Sequence, residues 1–439
     1  MRKPMYKVLS TLLALTMAVS LSACGSGSEN SQDQNSTEND GEPVELVLWH
    51  PASFVYGDGE QKPEDTFAGQ AIAQYEKEHN VKITIVSQPQ DNFDNLFKAA
   101  NIAKNGPDIV WLWPGSMTVD YAPFLLPLND YLTDDIIDSH FGWELASEGY
   151  NSENTIYGIP FTSYIYVMYY NKALFQEAGL AEDDIPETWD EFLEVCETLK
   201  QAGITPFVCG AKDGYIGQWG ISALLSTMLG SDTSLVSSGE PLSGTAYEEA
   251  AALWAQLGEN GYINEDALSY EANGNAVTEF INGNGAMYLN SDWVSDPIYE
   301  GLGDDGGIFP FPAADASNPN ADYNYAGVGC NLCVVNYSQH TEEAVEFVKW
   351  FTSEEFELGY INEAGILPNC TTISEEDLTI SDAKKEMYSL LKNGNNSIQV
   401  DLMPLNAFNT MVRNGSLLTM GKMDASEFTR LVDEELAKQ

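Results

Sequence analysis

Basic residues are scarce in this chain: 19 lysines and arginines stand against 67 aspartates and glutamates in 439 residues, a formal net charge of −48. That shortage excludes nucleic acid as a partner, because phosphate recognition needs a basic face. It also leaves no polybasic patch to draw the protein onto an anionic membrane surface. Histidine is rare, with four scattered copies at His50, His79, His140 and His340. Beyond Cys24 there are five cysteines, Cys196, Cys209, Cys330, Cys333 and Cys370. An odd number cannot all pair within the chain, and their spread is not that of a disulfide-built domain. Cys330 and Cys333 form a C-x-x-C, but inside "GVGCNLCVVN", which reads as a strand. Residues three apart on a strand point to opposite faces, so one metal would not take both. Also absent are G-x-S-x-G, H-E-x-x-H, the phosphate-binding G-x-x-x-x-G-K-[ST] and a complete dinucleotide fingerprint. The acidic loop "DASNPNADYN" lacks the glycine and distant glutamate of a calcium-binding EF-hand loop. No cofactor and no metal are expected.

No apolar run is long enough to span a bilayer, which takes roughly 20 residues. The closest is residues 8–21, preceded by Arg2, Lys3 and Lys7 and followed by small residues. That pattern is a secretory signal peptide, residues 1–23, to be removed from the mature protein. At its end Leu21, Ser22, Ala23 and Cys24 resemble the bacterial lipobox, which implies a diacylglyceryl thioether on Cys24 as the mature N-terminus. Residues 25–43 carry no aliphatic or aromatic side chain. They cannot repay the entropy of ordering, so residues 24–43 read as a lipidated cysteine and a flexible tether. Buried acyl chains contribute about 0.8 kcal/mol per methylene, so two or three hold the protein durably at the membrane. The expected location is the extracellular face of the cell membrane.

Removing the first 23 of 439 residues leaves 416, with a net charge of about −51 and enough chain for two lobes. After the tether, "VELVLWH" suits a buried strand, residues 67–78 have helical spacing, and "VKITIV" alternates as a strand does. A second helix is expected over 92–104, and "DIVWLW" is another buried strand. Strand, helix, strand in that order argues an α/β lobe whose ligand lies beyond the carboxyl ends of its strands. Further helices are expected over 189–202, 246–260 and 277–281, and "PETWDEF" opens the first through Pro186 and Thr188. "TEEAVEFVKWFTSEEFELGYINEAG" reads as a long helical region, and "DASEFTRLVDEELAK" as an amphipathic helix begun by Asp424 or Ser426. Trp189, Trp254 and Trp350 sit at apolar helical spacing and read as core.

"YGIPFTSYIYVMYYNKALFQEAGL" followed by "PETWDEF" resembles the central signature of the bacterial extracellular solute-binding proteins of the carbohydrate type. "FINGNGAMYLNSDW", "SQHTEEAVEFVKWFTSEEF" with "GILPN", and "DLMPLNAFNTMVRN" resemble further blocks of that family, in its order. The resemblance implies a two-lobed α/β fold of the periplasmic-binding-protein type, with a hinge and an interlobe ligand cleft. Residues 44–160 and 327–370 would form the first lobe, and 161–326 and 371–439 the second. Sugars offer apolar faces and hydroxyl rims, so their sites combine aromatic platforms with carboxylates and amides.

Carried over residue by residue, the resemblance points to a dozen ligand-binding candidates. Trp113 and Ser116 follow the "DIVWLW" strand, where a core tryptophan is the competing reading for Trp113. His50 and Ser53 follow the first strand and could equally be solvated loop residues. Tyr164 lies six residues before Tyr170. Asp213, Tyr215 and Trp219 fall in "AKDGYIGQW", with core packing the rival role for Trp219. Trp293 closes a small-residue strand beside Asp292. Asp401 is a further polar candidate, and Asn409 stands where the family's maltose binder has an aromatic. The resemblance implies a monomeric, lipid-anchored binding subunit of an ATP-driven importer, taking a mono- or oligosaccharide and docking on membrane permease subunits. It implies no enzyme. The alternative is a membrane-anchored extracellular glycoside hydrolase, whose carboxylate pair cannot be picked out among 67 acids.

Overall fold

The computed structural model describes residues 42–51, 62–89 and 92–438, so Cys24, the signal peptide and nearly all of the tether lie outside the described residues, as does Ser53. Strands β1 (Val44–Pro51), β2 (Val81–Gln88) and β3 (Ile109–Leu112) alternate with helices α1 (Phe67–His79) and α2 (Phe93–Ala103). Thr66 caps α1 by accepting from the Gly69 amide. Short helices α3 (Ser116–Tyr121) and α4 (Asp134–Asp138) lead to the 14-residue strand β4 (Gly158–Asn171). There follow α5 (Lys172–Glu177), α6 (Trp189–Gln201), α7 (Tyr215–Leu229), α8 (Ser234–Ser237), α9 (Ala246–Glu259) and α10 (Asn275–Ile281). Strands β5 (Met287–Ser291) and β6 (Gly306–Phe309) flank α11 (Ser295–Leu302), and β7 (Tyr323–Val334) precedes α12 (Thr341–Phe351), α13 (Glu354–Ala364) and α14 (Asp382–Asn393). The described chain ends with β8 (Asn395–Ser397), α15 (Leu405–Thr419) and α16 (Ala425–Leu436).

The strands pair in the order β2-β1-β3-β7-β4-β5, with β6 added to β4 and β8 to β7. The first three are parallel, as a strand-helix-strand chain requires, and β7 joins them antiparallel. Strand β4 does two jobs. Its residues 158–165 pair with β7, and its residues 166–171 pair with β5 and β6. Side chains on β4 alternate between two cores. Ile165, Val167 and Tyr169 pack with α12 and α13, while Tyr166, Met168 and Tyr170 pack with α6, α7 and α9.

One residue interrupts β4. Thr162 has φ of 55°, unusual for a β-branched side chain. Opposite it on β7 stands Gly329, where an added Cβ would meet the Thr162 hydroxyl at 2.3 Å. The strain is held from below by Glu357 of α13. Its fully buried carboxylate accepts from the backbone amides of Thr162 (3.1 Å), Asn369 (2.7 Å) and Cys370 (2.8 Å).

Most expected elements are found near their expected limits. Thr188 and Glu191 form a capping box on α6, and Asp424 caps α16. Trp189 and Trp254 are buried, and Trp350 packs at the margin of the α12 and α13 core. The long helical region after β7 is divided into α12 and α13, because Ser353 caps a new helix by accepting from the Phe356 amide. Cys330 and Cys333 pack into different clusters on opposite faces of β7, and all five described cysteines are buried and free.

Candidate ligand site

Period-two alternation on β4 puts Tyr164 and Tyr166 on one face, and they meet rings from three other elements. Tyr166 stacks on Tyr325 of β7 (centroids 4.6 Å, planes 9° apart) and lies 5.1 Å from Trp219 of α7. Trp293 stands 5.6 Å from Tyr166, edge to face, and 6.4 Å from Tyr164. Tyr215, at the start of α7, stacks on Trp219 at 6.4 Å. The cluster is not all core. Trp293 is 40% exposed and Tyr215 41%, an expensive condition for large rings unless something covers them.

Polar groups are threaded between these rings. The Tyr325 hydroxyl donates to Asp401 Oδ2 (2.8 Å), and Gln218 Nε2 donates to the Tyr325 hydroxyl (2.8 Å) and, longer, to Asp401 Oδ1 (3.4 Å). The Tyr164 hydroxyl is bonded to the same carboxylate. Burial pushes the Asp401 carboxyl up to about 6. Burial also drives the Tyr164, Tyr166 and Tyr325 phenols well above their ordinary range, so they remain neutral donors at physiological pH. On the far side Trp293 Nε1 donates to Asn273 Oδ1 (3.0 Å), which also receives Asn290 Nδ2 (2.9 Å). Among the described residues no lysine or arginine joins these ring contacts and hydrogen bonds, and Lys212, beside Asp213, is paired with Glu271 at 2.6 Å.

The remaining expected site residues are distributed around this centre. Asp292 is buried beside Trp293, accepts from the Ser291 hydroxyl (2.8 Å), and has its carboxyl pushed up to about 6 by burial. Asp213 pins the turn before α7, accepting from the amides of Ala272 (3.1 Å) and Tyr215 (3.4 Å). Ser116 is buried and donates to the Asp401 carbonyl at 2.7 Å. Asn409 is exposed on α15. Trp113 is half-buried and meets Phe93 edge to face at 6.1 Å, in the cluster formed with α2 and α3. His50 is buried at the end of β1, its Nδ1 without a partner among the described residues, and burial lowers its pKa so that it is neutral.

The structure adds Tyr166, Gln218, Asn273 and Tyr325 to the residues expected from sequence. Two of these had a signal. Tyr166 is two residues from Tyr164 on a strand, and Gln218 is three from Tyr215 on a helix. Tyr325 and Asn273 come from distant segments with none. Away from this centre, His140, Glu357 and Cys370 bring ligand-type atoms within 4.8 Å of one another. Their lone pairs and protons are already engaged: His140 Nε2 with the Thr352 carbonyl (2.8 Å), Glu357 with three amides, and Cys370 with Thr372 (3.2 Å).

Comparison with known proteins agrees with this architecture. The family model described as bacterial extracellular solute-binding protein matches residues 59–357. The multiple sugar-binding protein of Streptococcus mutans is 24% identical over 312 residues, 67% of this chain and 70% of that protein. The arabinooligosaccharide-binding protein of Halalkalibacterium halodurans is 31% identical over 144 residues, 29% of this chain and 31% of its own. Among solved structures, a chitin oligosaccharide binding protein superposes with a TM-score of 0.75 at 21% identity, covering 91% of this chain and 99% of its own. The described residues therefore adopt the two-lobed α/β architecture of these proteins, and no helix among them is long and apolar enough to cross a membrane. The match over residues 59–357 identifies the chain as a member of the bacterial extracellular solute-binding protein family.

Proposed function

We propose that this chain is the lipid-anchored, extracellular binding subunit of an ATP-driven importer, and that it takes an uncharged sugar or oligosaccharide at the ring cluster and passes it to a membrane permease. The observation that carries the reading is the half-exposed pair Trp293 and Tyr215 beside a network of neutral hydroxyls, amides and the Asp401 carboxylate. Flat apolar surface next to directional acceptors and donors is what a pyranose requires. Among the described residues no cation joins the cluster, which favours a neutral ligand over a phosphorylated or acidic one. Relatives named as binders of multiple sugars, galactooligosaccharide and arabinooligosaccharide support the ligand class.

In this reading the first lobe comprises about 44–160 and 327–370 and the second the remainder, with β4 and β7 as crossing strands. Ligand favours the closed form only as far as it binds that form better. Moving lobes from 1:99 to 99:1 takes about 5.5 kcal/mol of preference. No residue need make or break a bond, and the ATPase is a separate subunit. The protein works as a monomer held by the lipid on Cys24.

The test is calorimetric titration of the purified protein with galacto-, arabino- and chito-oligosaccharides and stachyose, with reducing ends assayed in the same samples. Saturable one-to-one binding without product is expected. Turnover would move the chain to the hydrolase class, and silence across the panel would remove the carbohydrate assignment. For the anchor, Cys24→Ser is expected to abolish incorporation of labelled fatty acid and release the protein into the medium; retention on the membrane would refute it.

A further inference from the structure

Asp401 is held at both ends. Its carboxylate lies among the rings, bonded to Tyr325, Gln218 and Tyr164, while its backbone is gripped from a different part of the molecule. The neighbours Val400, Leu402 and Met403 belong to the core built around α7 and α9. Facing them is the turn from β3 into α3, whose Tyr121 packs with Val110 and Leu112 of β3 in a separate cluster. The Ser116 hydroxyl bridges the two. It donates to the Asp401 carbonyl (2.7 Å) and also contacts the Met403 carbonyl. One proton faces two acceptors, so a single hydroxyl is shared between the two carbonyls. Gly115 makes the approach feasible: with φ of 72°, it comes so near that an added Cβ would meet the Asp401 carbonyl oxygen at 2.7 Å.

We propose that Ser116 is a positioning residue: a hydroxyl clasp across the two lobes that sets the 400–403 segment and so places the Asp401 carboxylate among the rings. The inference rests on the ligand-binding reading above and assigns Ser116 a role through Asp401 in place of direct contact with ligand. Such a bond exists only while the β3–α3 turn and the 400–403 segment are together. It therefore contributes to the closed arrangement and to the assembly of the site in the same step. One hydrogen bond of about 1 kcal/mol corresponds to about a fivefold population shift.

The experiment compares wild type, Ser116→Ala and Ser116→Cys, which nearly keeps the side-chain volume but offers only a weak donor, by small-angle X-ray scattering without ligand and by titration with the same oligosaccharide panel, using the whole protein. Ser116→Ala is expected to enlarge the radius of gyration and to weaken binding about five- to tenfold, with Ser116→Cys following in the same direction. Should Ser116→Ala fail to fold, Ser116→Cys, which leaves no comparable cavity, carries the test alone. Scattering and binding that match wild type in both variants would overturn the clasp. Weaker binding in either variant with scattering unchanged would make Ser116 a direct ligand contact and overturn it equally. A wild type that binds no saccharide yet expands on Ser116→Ala would sink the sugar reading and leave the clasp standing.

Discussion

Trp293 and Trp254 show the same side chain in opposite circumstances, one 40% exposed at the ring cluster and the other fully buried with its Nε1 donating to the Thr419 hydroxyl at 2.9 Å. Trp293→Ala removes a platform and little core, so binding is expected to fall by more than tenfold while the melting temperature stays near wild type. Trp254→Ala empties a packed site and is expected to cost about 3–5 kcal/mol of stability, read by urea denaturation. The reverse pattern would exchange their roles. Asp292 makes a second residue-level case. With its carboxyl raised to about 6, the folded protein holds a proton that the unfolded chain, with an ordinary value of about 3.9, has released. Between those values the folded state binds more protons, so stability rises as pH falls from 7.5 to 5. Asp401, raised to about 6, and Glu357, raised to about 7, act in the same direction. Asp292→Asn is expected to shrink the difference between urea midpoints at the two pH values without abolishing it. An undiminished difference would mean that Asp292 is not the group titrating.

At the scale of elements, periodicity was a good guide wherever an element decides its own face. The strands β1 to β3, the helices around them and α6 with its capping box follow from alternation, apolar spacing and caps, and their residues lie where those signals put them. Helix α7 is different, being buried on nearly all sides. It shows little periodic contrast, so its length was dark in the sequence, and Gln218 could be placed only by its spacing from Tyr215. The ring cluster was half legible. Tyr164, Trp219 and Trp293 came from family blocks, whereas Tyr325 joins them only because β7 runs beside β4 in a register that no local pattern states. The bend at Thr162 was illegible for the same reason, since its anchor Glu357 is 195 residues away. Replacing that carboxylate by an amide tests the anchor. In Glu357→Gln one amide nitrogen must face a backbone N–H, leaving a buried donor unpaired, at an expected cost of about 1–3 kcal/mol. Denaturation with unchanged slope and a lowered midpoint would bear this out, and an unchanged midpoint would show that the bend holds itself.

For the whole molecule, the dominant long-range term is the excess of acid. With 67 acids against 19 bases the surface repels itself, and the seven ion pairs among the described residues offset little of this. Most are exposed, and four join neighbours one helical turn apart, so each contributes at most about 1 kcal/mol. Salt acts on both terms at once. Going from 0.01 M to 1 M shortens the screening length from about 30 Å to about 3 Å. That change silences repulsion spread over the whole surface, but it leaves groups in direct contact partly coupled. Repulsion should lose more than attraction does. The melting temperature is therefore expected to rise with sodium chloride over that range, chloride being chosen because sulfate would strengthen apolar burial by itself. A melting temperature that falls with salt would mean that the exposed pairs outweigh the net charge, and that the acid excess is tolerated by local pairing and not by separation.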